Sequence, residues 1–133
     1  MSVTYRVLLA DDDHEVRHGV AEYLAELGLD VLQAGSGLEA LELVRCEWIH
    51  AALLDMYMPG QTGMETLPLL FEARADLPCL VYSGRWTPTL EQAVLAAGAL
   101  ACLKKPVQPE VLRRELRRAL KLGPQDPWTP HLN

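Results

Sequence analysis

Five short apolar runs, alternating with five stripes at helical spacing, constrain this chain more than any other feature. Tyr5-Arg6-Val7-Leu8-Leu9-Ala10 is nearly continuous and stops at Asp11-Asp12-Asp13. Ile49 to Leu54, Cys79 to Tyr82 and Ala99 to Leu103 repeat the pattern, and Asp30-Val31-Leu32-Gln33-Ala34 is a weaker copy. Short runs without polar alternation indicate strands buried on both faces, as in a parallel sheet. Between them Val16, Val20, Leu24 and Leu27 form one apolar stripe, closed by Gly28. Leu38, Leu41 and Val44 form the next, after Ser36-Gly37. Leu67, Leu70 and Phe71 mark a third helix, in which Pro68 is expected within the first turn. Leu90, Ala93, Val94 and Ala97 follow Thr87-Pro88 and end near Gly98. Leu112, Leu116, Ala119 and Leu120 run from Pro109 to a stop at Gly123-Pro124. The pattern is (βα)5, an α/β fold in which right-handed crossovers put helices on both faces of a parallel sheet.

Composition narrows the class. With 133 residues, half of them hydrophobic and 23% charged, the chain is expected to form one cored domain over residues 1–122. Residues 123–133 carry three prolines and no periodicity, and read as an extended or disordered tail. No apolar run nears the ~20 residues that span a bilayer. The start, MSVTYRVLLADDD, has no basic region before its apolar residues and does not read as a signal peptide. Cys46, Cys79 and Cys102 include no C-x-x-C pair, so reduced thiols in a cytoplasmic protein are expected. The net charge of −6 argues against nonspecific nucleic-acid binding. It is unevenly spread: residues 1–60 hold three arginines against eleven acids, and residues 61–133 hold nine basic residues against seven acids.

The acids crowd where such a fold binds ligands. Open α/β sheets take ligands beyond the carboxyl ends of their strands, at the point where strand order reverses. The first run ends in Asp11-Asp12-Asp13 and the third in Asp55. If those strands are neighbours, several carboxylates converge, and their repulsion in a partly desolvated cleft requires a cation or a proton. An all-oxygen set without His or Cys suits a hard ion, Mg2+ by default. Alone, the triplet reads equally as a helix cap. The fourth run ends at Ser83-Gly84 and the fifth at Lys104-Lys105-Pro106. Alone, these are a loop hydroxyl and a solvated turn. Together on one rim with the acids and a divalent ion, a hydroxyl and an ammonium can bind phosphoryl oxygens.

The motifs VLLADDDHEVR, LLDMYMPGQTG, LVYSG and LKKP, in this order from about Val3 to Leu122, resemble those of two-component response-regulator receiver domains of the chemotaxis-regulator type. The spacings of 28 residues from Asp55 to Ser83 and 22 from Ser83 to Lys105 are similar to that family's. The resemblance implies strand order 2-1-3-4-5 in a doubly wound, flavodoxin-like three-layer sandwich. It implies that Asp55 accepts a phosphoryl group from a sensor histidine kinase or His phosphotransfer protein. It also implies that Mg2+ is held by Asp12 directly, by Asp11 through water, by Asp55 and by the backbone carbonyl of Tyr57. Ser83 and Lys105 would each meet a phosphoryl oxygen, Lys105 before a cis bond to Pro106. Met58-Pro59-Gly60 and Gly63 match the family's loop after the acceptor, and Asp13 is left as a helix cap. The output would be a switch in contacts with an unknown protein target. A dimer through the face of the fourth helix, fifth strand and fifth helix would be compatible with it. The chain is expected to stand alone, without direct nucleic-acid or membrane contact.

Two positions depart from the family pattern. Cys102 stands three residues before Lys105, where the family has Tyr or Phe; the missing bulk would come from Tyr82 or Trp86, or the cysteine is simply core. Tyr57 and Arg85 stand two residues after the acceptor and two after Ser83, positions that in the family shape water access to the acyl phosphate. The bulky pair would shield it and slow autodephosphorylation, or the two are simply variable loop residues. The basic Arg113, Arg114, Arg117, Arg118 and Lys121 read as a solvated helix end, or as a docking face. Competing classes are a Mg2+-dependent phosphatase of the haloacid dehalogenase type, using Asp11 and Asp13, a nucleotide or flavin module, and a degenerate receiver acting only by interaction. The first lacks room for a cap, the second lacks a phosphate loop, and the complete acid, Ser and Lys set argues against the third.

Overall fold

The computed structural model describes residues 4–129. Among the described residues ten elements alternate: β1 (Arg6–Ala10), α1 (His14–Glu26), β2 (Asp30–Ala34), α2 (Gly37–Cys46), β3 (Ala51–Asp55), α3 (Gly63–Ala73), β4 (Cys79–Ser83), α4 (Pro88–Ala96), β5 (Ala101–Lys104) and α5 (Pro109–Ala119). All strand pairs are parallel, in the order β2-β1-β3-β4-β5. The expected (βα)5 fold and strand order are therefore both present. β3 and β4 are buried along their whole length, as their unbroken apolar runs require.

Side chains alternate across the sheet and build two cores. Leu8, Leu54, Val81 and Cys102 pack with residues of α2, α3 and α4 on one face. Val7, Leu9, Leu53, Leu80, Tyr82 and Leu103 pack with Ala21 and Leu24 of α1 and Leu112 and Leu116 of α5 on the other. No helix among the described residues is long and apolar enough to cross a membrane.

The caps explain where helices begin. Asp13 accepts from the Glu15 and Val16 amides, as expected for a helix cap. Ser36 and Thr87 cap α2 and α4 in the same way. The α1 stripe is only partly buried: Leu24 is core, whereas Val16 is exposed and, with Val20, Tyr23, Val107 and Pro109, lines an open groove of about 500 Å3.

Two details differ from the sequence reading, and a third adds to it. Pro68 lies in the second turn of α3, because a capping box between Thr62 and Glu65 starts the helix at Gly63. The proline has no N–H to return to the Met64 carbonyl. The turn that ends α5 is made by Lys121 at φ 58, two residues before Gly123. The segment expected to be extended or disordered forms no helix or strand over residues 123–129, and side-chain contacts anchor it there. Arg117 Nη1 donates to the carbonyls of Gly123 at 2.7 Å and Asp126 at 3.0 Å. Its guanidinium stacks 4.4 Å from the Trp128 ring, which packs on the α1–α5 core. Prolines deny this segment a regular ladder, and one arginine supplies the donors instead. Residues 130–133 lie outside the described residues.

The exposed Pro68 suggests a direct check of helix energetics. Pro68→Ala restores an interior hydrogen bond and is expected to stabilise the fold by about 1 kcal/mol or more. Urea denaturation should show a higher midpoint; a lower one would mean that the surroundings favour the proline.

Candidate functional site

The sheet topology brings the acids together. Ala10 of β1 sits opposite Leu54 of β3, so Asp11 and Asp55 leave the sheet side by side. The chain turns from β1 toward β2 on one side and from β3 toward β4 on the other, which makes this edge the switch point. Strand parity adds a third group. Asp11 continues the face of Val7 and Leu9, Asp55 that of Ala51 and Leu53, and Tyr82 that of Leu80. Asp55 and Tyr82 are partners in register.

One carboxylate oxygen from each of Asp11, Asp12 and Asp55 lies within 4.8 Å of the others. Asp11 and Asp55 are buried and Asp12 is exposed. Lys105 reaches in from the end of β5, with Nζ 3.1 Å from Asp11 Oδ2 and 3.2 Å from Asp55 Oδ1. Its amide donates to the Ser83 carbonyl at 2.9 Å, and its bond to Pro106 is cis.

Asp11 is the most heavily bonded acid. Its Oδ1 accepts from the Asp13 amide at 2.9 Å, and its Oδ2 accepts from Lys105 and from the Tyr82 hydroxyl. Its backbone carbonyl accepts from Arg17 Nη1 at 2.6 Å, while Arg17 Nε donates to Gln33 at 3.1 Å. Burial works against the Asp11 charge, but the Tyr82 hydroxyl, the Asp13 amide and Lys105 outweigh it and hold the carboxyl below its ordinary range. Asp55 behaves oppositely. Burial, then the Asp11 charge, raise its carboxyl from 3.8 to about 6, with Lys105 offsetting only part. Three carboxylates face one ammonium, and all the acceptors are oxygen. That set fits a hard divalent cation of the Mg2+ kind.

The other expected residues stand close by, with different contacts. Ser83 is fully buried, and its Oγ accepts from the Arg85 amide at 3.0 Å; it makes no hydrogen bond to the carboxylates. The Tyr57 amide donates to Asp55 Oδ1 at 3.4 Å, while its ring is exposed, 5.4 Å from the Arg85 guanidinium. The loop after Asp55 folds back so that the Gly63 amide bonds the Met56 carbonyl at 2.7 Å. A Cβ at Gly63 would lie 3.1 Å from Met56 Cα and 3.2 Å from the Asp55 carbonyl, so glycine permits that approach. Tyr82 cannot fill in for an aromatic at Cys102, because the two lie on opposite faces of the sheet. Trp86 packs on the Cys102 side, with Lys104 Nζ 4.3 Å from its ring. Arg17 and the Tyr82 hydroxyl are site contacts that the sequence reading missed. Parity would have exposed Tyr82; nothing in the pattern marks Arg17.

A family model described as the response regulator receiver domain matches residues 7–117. The chain belongs to the response-regulator receiver family. This receiver is 37% identical over 116 residues to the transcriptional activator protein ExaE of Pseudomonas putida, covering 86% of this chain and 54% of that protein. It is 35% identical over 119 residues to the response regulator MprA of Mycobacterium ulcerans, covering 90% and 51%. The chain thus spans about half the length of these curated relatives. Among solved structures, chemotaxis protein CheY4 of Vibrio cholerae superposes with a TM-score of 0.83 at 30% identity, covering 89% of this chain and all of that one. A CheY-like receiver of Methanospirillum hungatei superposes at 0.84 with 27% identity, covering 89% and 94%. As a receiver, the chain is a signalling module of the two-component type, and the phosphatase and nucleotide-module classes fall away.

The raised Asp55 carboxyl has a consequence for stability. A carboxyl raised in the folded state stabilises the fold below the unfolded value near 3.8, and that contribution is lost as pH rises through about 6. Without divalent cations, Asp55→Asn is therefore expected to be more stable than wild type at pH 7.5, by about 1–3 kcal/mol, with the gap closing near pH 4. Thermal melts with and without Mg2+ check this. A variant no more stable than wild type at pH 7.5 would refute the raised Asp55 carboxyl.

Proposed function

We propose that this receiver is a phosphoacceptor: it takes a phosphoryl group onto Asp55 from a sensor histidine kinase or a His phosphotransfer protein and switches its protein contacts in response. The observation that carries the reading is the convergence of Asp11, Asp12, Asp55 and Lys105 at one strand edge. In the transfer, an Asp55 carboxylate oxygen forms a bond to phosphorus while the P–N bond of the donor breaks, and the imidazole leaves with the electron pair and takes up a proton. Mg2+ held by Asp11, Asp12, Asp55 and the Tyr57 carbonyl would offset the charge of the donor and of the acids. Lys105, already 3.2 Å from Asp55, is within reach of an oxygen of the incoming group. Ser83 sits at the end of the adjacent strand, and its hydroxyl can turn from the Arg85 amide to donate to another. Alignment and charge neutralisation supply most of what phosphoryl transfer needs.

The acyl phosphate carries up to about two negative charges in place of the one on the carboxylate, and presents new acceptor oxygens at the rim. Drawing Lys105 and Ser83 toward them would change the ends of β5 and β4, and with them the face of α4, β5 and α5. Such a local charge event biases a two-state element. Cys102 supplies no aromatic on that face, whereas the Trp86 ring packs on its side of the sheet. The target would be a protein, or a second copy of the chain, meeting this surface, in the cytoplasm and without direct nucleic-acid contact. A degenerate receiver is disfavoured by the intact acid, hydroxyl and lysine set.

Incubation with acetyl phosphate and Mg2+, followed by mass spectrometry, tests the reading. One added phosphoryl group is expected in wild type and none in Asp55→Asn or after chelation by EDTA. Lys105→Met should lower labelling by about tenfold or more. A folded wild type that gains no mass would falsify the phosphoacceptor role. Unchanged labelling of Asp55→Asn would move the acceptor elsewhere.

A further inference from the structure

Tyr82 has no part in the mechanism above, yet it touches both charge partners of Asp55. It is fully buried at the end of β4 and belongs to the α1–α5 core. Phenylalanine would fill the same volume without burying a hydroxyl, and a buried hydroxyl needs a partner. Here the partner is Asp11: the Tyr82 hydroxyl donates to Oδ2. The ring also faces the lysine, with Lys105 Nζ 4.6 Å from its centroid.

The lone pairs of Asp11 show what this accomplishes. Each carboxylate oxygen has two acceptor sites. Both sites of Oδ2 are taken, by Tyr82 and Lys105. Oδ1 accepts from the Asp13 amide and has one site left. Only Oδ1 can therefore face a cation or a water bound to it. Without the phenol, the carboxylate could rotate about its bond to Cβ, and Lys105 would lose the ring that flanks it.

We propose that Tyr82 is a positioning residue of the cation site, its hydroxyl fixing which edge of Asp11 faces the rim and its ring holding Lys105 between the two acids. This rests on the phosphoacceptor reading and adds to it a residue on β4 that carries none of the chemistry. Fixing a ligand in its bound orientation raises affinity by removing an ordering cost.

Two variants separate the two contacts. Tyr82→Phe removes the hydroxyl alone, and Tyr82→Leu removes the ring as well. Titration calorimetry with Mg2+ alone on the unphosphorylated protein gives the affinity. Acetyl phosphate labelling across Mg2+ concentrations separates binding from the maximal rate. Tyr82→Phe is expected to weaken Mg2+ binding about tenfold, or about 1.4 kcal/mol, and to regain the wild-type labelling rate at saturating Mg2+. Tyr82→Leu is expected to lose affinity similarly and to have a lower saturated rate. If folded Tyr82→Phe binds Mg2+ within twofold of wild type, the proposal is overturned, even if the variant melts earlier, since a purely structural role would move stability alone. Wild type that binds no Mg2+ would overturn the cation site and the Tyr82 role together. Wild-type binding with an unmoved variant would overturn only the latter.

Discussion

Two carboxylates that repel each other at the carboxyl edge of β1 and β3 are the constraint on which the rest of this structure depends. Asp11 and Asp55 are both buried, and a single ammonium, that of Lys105, lies between them. Burial and mutual repulsion are resolved unequally. Asp11 gathers hydrogen bonds and stays charged, whereas Asp55 is raised toward neutrality. A pair of like groups pushed apart in this way marks a site with different roles for each member. In the proposed transfer, the more weakly bonded carboxylate, Asp55, would be the nucleophile once a cation offsets its neighbour.

Much of the fold serves to hold that imbalance in place. Parallel pairing of β1 with β3 sets the two acids side by side, and pairing of β4 with β5 delivers Lys105 beside them. Arg17 pins the carbonyl of Asp11 from α1, and Tyr82 pins its carboxylate from β4. Gly63 lets the loop after Asp55 fold tightly against the strand end. The charge asymmetry along the chain thereby acquires a location: the acid-rich half contributes Asp11, Asp12 and Asp55, and the later half contributes the ammonium.

The strands and most helices were legible because buried parallel strands and amphipathic helices leave strong apolar patterns. The acids were legible because they stand at the ends of those runs, and the receiver motifs named the remaining rim positions. What escaped depends on local partners that carry no period. The start of α3 was set by the Thr62–Glu65 box against a misleading Pro68. The segment after Gly123 looked unstructured because its order comes from Arg117 and Trp128, not from a ladder. Tyr82 reads as bulk for the Cys102 position, but alternate residues along β4 put it on the opposite face of the sheet, where its hydroxyl meets Asp11. Arg17 reads as an ordinary surface residue of α1 until the turn after β1 is built beside it.

Nuclear magnetic resonance of the Asp55 carboxyl carbon, followed through a pH titration of cation-free protein, tests the unequal resolution of the two acids most directly. A midpoint near 6 is expected, falling when Mg2+ is added, because a cation favours the charged form. A midpoint in the ordinary carboxylate range near 4, unmoved by Mg2+, would contradict it.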